Sequence, residues 1–133
     1  MEEIKGDLFI STNSLAHCIS SDLAMGAGIA LKFSELFGGK DELYKQNLKI
    51  GDVGWLKREG RYIYYLITKE RYWHKPSYED LTKCLHRLNS LCIEHKVEKI
   101  SIPRLGCGLD KLQWSEVKKI IEKELAIKVV VYY

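Results

Sequence analysis

Lys99-Ile100-Ser101-Ile102-Pro103-Arg104-Leu105-Gly106-Cys107-Gly108-Leu109-Asp110 is an apolar run, a proline stop, a turn holding two glycines, and then a carboxylate. Helical periodicity follows from Trp114 through Val117, Ile120 and Ile121 to Leu125. A run that is apolar throughout suits a strand covered on both faces, as in a sheet sandwiched between helices. The strand-turn-helix order then places Asp110 at the carboxyl edge of the sheet, where α/β domains hold their ligands. Met25-Gly26-Ala27-Gly28 ahead of Ile29 to Phe37 repeats the arrangement. Helix starts expose unpaired N–H groups and the positive end of a dipole, and glycine lets an anion approach them. Two such turns can grip a diphosphate from both sides. Phosphate binding alone does not call for the carboxylate at Asp110.

Working outward, strands are expected at Glu3 to Leu8, Ser14 to Ile19, Gly54 to Lys57, Tyr62 to Thr68, Lys99 to Pro103 and Lys128 to Tyr133. Arg58-Glu59-Gly60-Arg61 reads as a hairpin turn between two antiparallel strands. Leu81, Leu85, Leu88, Leu91 and Cys92 recur at helical steps within Tyr78 to Glu94, and Ser77 with Asp80 forms a capping box ahead of them. The expected fold is a three-layer α/β/α domain over residues 1–133, with a mixed, mostly parallel central sheet of about six strands. At 133 residues and 46% hydrophobic content, one compact domain with a real core is the natural size.

The formal net charge of +3 suits a small anionic ligand and is too slight for a dedicated nucleic-acid binder. Cys18, Cys84, Cys92 and Cys107 include no CxxC, so neither a zinc site nor a disulfide framework is suggested. No metal and no cofactor are expected. With no signal-like segment and no bilayer-length apolar run, the expected compartment is the cytoplasm, or the nucleus in a eukaryote, with no membrane partner. A monomer is expected. Gly26-Ala27-Gly28-Ile29-Ala30-Leu31 is not a dinucleotide fingerprint, because Leu31 replaces the third small residue. It also lacks the Gly-Lys-Ser/Thr of a P-loop.

Five blocks carry a resemblance: Gly6-Asp7-Leu8-Phe9, Ser14-Leu15-Ala16-His17-Cys18-Ile19-Ser20, Met25-Gly26-Ala27-Gly28-Ile29-Ala30, Leu66-Ile67-Thr68-Lys69, and Ile102 to Asp110. In this order, across nearly the whole chain, they resemble a macrodomain. More narrowly they are similar to the terminal ADP-ribose protein glycohydrolase branch, which includes antitoxins that strip ADP-ribose from DNA. The resemblance implies a three-layer α/β/α module that binds ADP-ribose at the carboxyl ends of its strands. The asparagine-rich loop and triple glycine of other hydrolytic macrodomains are absent, which argues for a lysine-based mechanism. That branch's catalytic lysine and aspartate fall on Lys69 and Asp110.

The chemistry stands independently of the resemblance. Releasing ADP-ribose from an ester or a nucleobase is substitution at the anomeric carbon of the distal ribose. An amine can attack that centre, or its open-chain aldehyde, to give a Schiff base. The attacking amine must be neutral, a form favoured by desolvation or by neighbouring cations, and Arg71 and Lys75 lie close in sequence to Lys69. Glu70 acts in the opposite sense unless strand alternation turns it away. Asp110 would serve as acid and base. The ordinary alternatives are a solvated charge at a strand end for Lys69 and a helix cap for Asp110.

For ligand binding, the resemblance implies that Asp7 and Leu8 meet adenine and that Ser20 lies near the distal ribose. Gly26, Ala27 and Gly28 would form one phosphate loop, and Gly106, Cys107 and Gly108 the other. Tyr132 would stack on adenine. Asp7 has a turn-stabilising role as its alternative, Tyr132 a role as an edge-strand aromatic, and Cys107 that of a small residue between glycines. His17 reads as a satisfied core histidine, and Gln113-Trp114 as helix packing. Arg71-Tyr72-Trp73-His74-Lys75 interleaves aromatic and basic residues, which suits either stacking on bases or an ordinary exposed loop.

The expected function is removal of ADP-ribose from a modified protein or DNA, with ADP-ribose as ligand or product. Two rivals remain open: a non-catalytic ADP-ribose reader, and a small-molecule activity such as O-acetyl-ADP-ribose deacetylation or ADP-ribose phosphate dephosphorylation. The presence of both Lys69 and Asp110 favours hydrolysis.

Overall fold

The computed structural model describes all 133 residues. Strands β1 (Glu2–Ile4), β2 (Ser14–Ser20), β3 (Val53–Arg58), β4 (Arg61–Lys69), β5 (Lys99–Pro103) and β6 (Lys128–Tyr132) build one sheet in the order β1-β6-β5-β2-β4-β3. Every neighbouring pair is parallel except β3 with β4. Helices α1 (Gly28–Phe37), α2 (Lys40–Tyr44), α3 (Tyr78–Glu94) and α4 (Trp114–Glu124) complete the chain. The mixed six-stranded sheet and the α/β/α layering are as expected from the pattern of apolar runs.

Alternation along the strands divides the core in two. On one face Ala16, Tyr64, Leu66, Ile100, Ile102, Val129 and Val131 pack under Leu81, Leu85 and Leu88 of α3 and Val117 and Ile121 of α4. On the other, Leu15, Ile19, Ile63, Tyr65 and Ile67 pack under Phe33 and Phe37 of α1 and Leu43 of α2. No helix is long and apolar enough to cross a membrane.

The turn chemistry follows the sequence. Glu59 and Gly60 both take positive φ, at 55° and 76°, and close the hairpin that joins β3 to β4. Both central residues at positive φ is the turn geometry that matches strand twist. The Ser77 hydroxyl accepts from Asp80 N–H at 3.0 Å and donates to the Asp80 carboxylate at 2.9 Å.

Three features depart from the sequence pattern. The first strand stops at Ile4 instead of running to Leu8. The chain breaks at Gly6, the Asp7 carboxylate accepts from Phe9 N–H at 2.9 Å, and Leu8–Ile10 becomes a short 3-10 turn with Leu8 buried. Helix α2 leaves no signal in the sequence, since five residues are too few to show a 3.6-residue period. His17 is buried, yet it is not satisfied. Its ring lies flat on Phe33, with centroids 3.6 Å apart, and neither ring nitrogen has a hydrogen-bond partner.

Strand β3 is an edge, and an open edge invites pairing with another chain. Here the Gln46 side chain seals it, donating to the Trp55 carbonyl at 2.9 Å and accepting from Trp55 N–H at 3.1 Å.

Candidate active site

Ser20, Lys69, Pro103 and Tyr132 are the last residues of β2, β4, β5 and β6, and all four line one cleft of about 1140 Å³. This is the carboxyl edge of the parallel strands, where crossovers leave a crevice. The two glycine turns form its other walls: Met25 to Ala30 on one side and Leu105 to Asp110 on another.

The first turn ends in α1, whose N-cap Ala27 has no side chain to bond the helix start. The first intrahelical bond runs from Leu31 N–H to Ala27 carbonyl, so the N–H groups of Gly28, Ile29 and Ala30 lie ahead of the ladder, in the cleft wall. Gly28 has φ of 58°, and a Cβ there would stand 3.2 Å from Leu109, the residue that bridges toward the second turn. Gly106 has φ of 69°, and a Cβ there would meet Leu112 at 2.7 Å. Gly26 and Gly108 have room around them.

Lys69 and Asp110, separated by 41 residues, meet in this cleft with Nζ 2.5 Å from Oδ1. Their side chains are only 12% and 17% exposed. Asp110 does not cap α4, which begins at Trp114 with Gln113 as its N-cap. Nor is Lys69 a solvated strand-end charge. Glu70 is exposed, and its carbonyl is taken by Ser21 Oγ at 2.9 Å and Asp22 N–H at 3.2 Å.

The remaining candidate binding residues divide. Ser20, Gly26, Ala27, Gly28, Gly106, Cys107, Gly108 and Tyr132 all line the cleft. Tyr132 lies on β6, which runs between β1 and β5 and is therefore not an edge strand. Asp7 and Leu8 are not on the cleft wall. Asp7 is exposed at the 3-10 turn it caps, and Leu8 is in the core. Cys107 donates to the Leu105 carbonyl at 3.3 Å, and burial pushes its thiol up, which makes it a poor nucleophile. Cys18, at the cleft floor, is pushed well up by burial, with the nearby Cys84 and Asp110 adding to the effect.

Two participants are not visible in the sequence. Asp22 accepts from Ser20 Oγ at 2.5 Å, Ala24 N–H at 3.1 Å and Tyr72 N–H at 3.0 Å, so one carboxylate ties the end of β2, the entry to the first glycine turn and the loop after Lys69 together. Burial acts to raise its pKa, and these three donors outweigh it, leaving the carboxyl below its ordinary value. The short spacing Ser20-Ser21-Asp22 is the only sequence signal. Arg104 also lines the cleft, its guanidinium 4.2 Å over the Tyr133 ring and 5.6 Å from that of Trp114. Trp114 donates to Glu3 at 2.9 Å, so it joins α4 to β1 while touching the cleft.

The Macro domain model matches residues 16–121. The chain is 54% identical over 134 residues to the human protein named ADP-ribose glycohydrolase OARD1, covering 97% of this chain and 88% of that one. It is 28% identical over 132 residues to the DNA ADP-ribosyl glycohydrolase of Thermus aquaticus, covering 92% of this chain and 37% of the relative. Among solved structures, the macrodomain of Thermus aquaticus DarG superposes with a TM-score of 0.89 at 27% identity, covering 99% of this chain and 97% of the other. With the family model spanning both core layers and the lysine strand through to the glycine turn, the chain belongs to the macro domain family.

Proposed function

We propose that this protein is an ADP-ribosyl glycohydrolase that binds ADP-ribose in the cleft and releases it from a modified macromolecule, with Lys69 as nucleophile and Asp110 as acid and base. The observation that carries the reading is the Lys69–Asp110 contact of 2.5 Å inside a cleft walled by two glycine turns. The naming of its human relative as an ADP-ribose glycohydrolase supports the same reading.

The contact is short enough for the proton transfer with which the reaction begins. Passing one proton from Nζ to Oδ1 leaves a neutral amine and a carboxylic acid side by side. The amine attacks the anomeric carbon of the distal ribose, and the bond from that carbon to the ester oxygen or base nitrogen breaks. The Asp110 acid protonates the departing group. Ring opening of the lysine adduct gives a Schiff base. Water then adds to the same carbon as the Asp110 carboxylate takes its proton, the carbon–nitrogen bond breaks, and ADP-ribose leaves. The diphosphate is held by backbone N–H groups at the start of α1 and in the Gly106 turn, and the adenine by Tyr132 at the far end.

The test is release of ADP-ribose by the purified protein from a glutamyl-linked peptide and from an ADP-ribosylated oligonucleotide, side by side. Release from at least one is expected. Tight binding of ADP-ribose without release from either would favour a reader.

A further inference from the structure

The chain leaves β4 directly after Lys69 through Arg71-Tyr72-Trp73-His74-Lys75, and this segment is an ordered turn. His74 N–H bonds the Arg71 carbonyl at 3.0 Å, and Arg71 N–H bonds His74 Nδ1 at 3.3 Å. Tyr72 N–H is held by the Asp22 carboxylate, which also holds the first glycine turn, so the position of this loop is coupled to the cleft. On this fixed turn Tyr72 and Trp73 stand 63% and 64% exposed on the cleft wall. Their rings meet edge to face with centroids 5.1 Å apart, and Trp73 meets His74 at 5.4 Å in the same manner. Two large aromatics held in water on an anchored turn are unusual, and exposed apolar groups beside a cleft mark a binding surface. Arg71 and Lys75 flank the pair, both exposed and neither in a salt bridge.

We propose that Tyr72 and Trp73 form a stacking subsite for a nucleobase adjacent to the modified nucleotide of a single-stranded nucleic acid, with Arg71 and Lys75 meeting the flanking phosphates. This rests on the glycohydrolase reading of the cleft and names what lies on the leaving-group side. Stacking platforms next to cations are how proteins hold single strands, because every base offers a π-face and every link a phosphate. A peptide substrate has no obligatory aromatic ring beside its ester and no regular anionic backbone. The same surface therefore offers a peptide less. The loop begins two residues after Lys69, and Tyr72 and Trp73 line the same cleft as Lys69 and Asp110.

The experiment compares kcat/KM on three substrates: a single-stranded oligonucleotide with one ADP-ribosylated base and normal neighbours, the same modified nucleotide alone, and a glutamyl-linked peptide. Wild-type protein is expected to prefer the oligonucleotide to the lone nucleotide. In the Tyr72→Ala/Trp73→Ala variant that preference falls roughly tenfold, the size of one base–aromatic stack removed. Trp73→Phe is expected to retain much of it. In Arg71→Gln/Lys75→Gln the log–log dependence of oligonucleotide KM on salt becomes shallower by about 0.7 for each phosphate no longer neutralised. An unchanged preference in the aromatic variant, or a wild type that processes only the peptide, overturns the subsite while leaving the glycohydrolase reading intact. Failure of wild-type protein to bind free ADP-ribose by calorimetry overturns that reading, and the subsite with it.

Discussion

Ser20 pairs with Lys69 and not with Thr68, because the ladder between β2 and β4 slips by one residue after Ile19 meets Ile67. Thr68 is the extra residue, and a bulge of this kind bends its strand and re-aims the side chain beyond it. Lys69 is thus the residue on which the pairing of β4 with β2 resumes and ends. From just past the slip its Nζ reaches Asp110, in the turn after β5.

Both members of this pair are expected to be needed. Lys69→Ala and Asp110→Asn should each lower turnover by on the order of 10² to 10⁴, with ADP-ribose affinity by calorimetry changing far less than the rate. Borohydride added during turnover should leave a ribose adduct on Lys69, detected by peptide mass spectrometry. Absence of that adduct in an active enzyme would point to Asp110 activating water directly.

Asp22 should act on binding through the loops it holds together. Asp22→Ala removes three hydrogen bonds; because solvent reaches this carboxylate, a stability loss of about 1 kcal/mol is expected. ADP-ribose affinity should drop as the first glycine turn loosens. The pH sign follows from its depressed carboxyl. The folded form holds its proton less tightly than the unfolded one, so the contribution is full above the ordinary aspartate value and fades as pH falls through the folded value. Urea melts of wild type and variant should converge below about pH 4.

His17 makes the fold acid-sensitive at a higher pH. Burial lowers its imidazole to about 3, against an ordinary value of 6.5. The unfolded chain therefore binds a proton that the folded chain refuses. Stability is lost as pH falls from 6.5 toward 3, at about 1.4 kcal/mol per unit. Between pH 7 and pH 5 this amounts to about 2 kcal/mol. His17→Leu should remove that slope and be neutral or stabilising at pH 7, since two unpaired ring nitrogens disappear with it. An identical pH slope in the variant would refute this.

Gly106→Ala should weaken ADP-ribose binding and destabilise the chain by about 1 to 2 kcal/mol from the positive φ alone, with a further penalty from the Cβ that would stand 2.7 Å from Leu112. Adding Leu112→Ala should relieve the clash and leave the backbone strain, giving partial recovery in thermal melts. Full recovery would mean that φ is not the constraint.

Some of this molecule is written in local sequence. The apolar run of β5, the hairpin glycine Gly60 and the Ser77 cap act within a few residues of themselves, so their structures follow from residue type. The glycine turns are legible for the same reason. The end of β1 is legible only in part: Asp7 reads as a turn-stabilising residue after Gly6, but Leu8 fits a strand or a core-facing turn equally well. His17 is legible only in part: its burial follows from alternation, but whether its nitrogens find partners depends on Phe33, sixteen positions away in another layer.

What the sequence determined by itself is the order of the strands and of the three longer helices, the two glycine turns, and the presence of a lysine and an aspartate at strand and turn ends. These rest on periodicity and on backbone freedom, both local properties. Tertiary structure alone decided that Lys69 and Asp110 meet, that Asp22 joins three loops, and that Tyr72 and Trp73 stand on the cleft wall. Each of these depends on the register between β2 and β4 and on the crossover that brings β5 beside β2, and such long-range pairings are set by how the whole core packs.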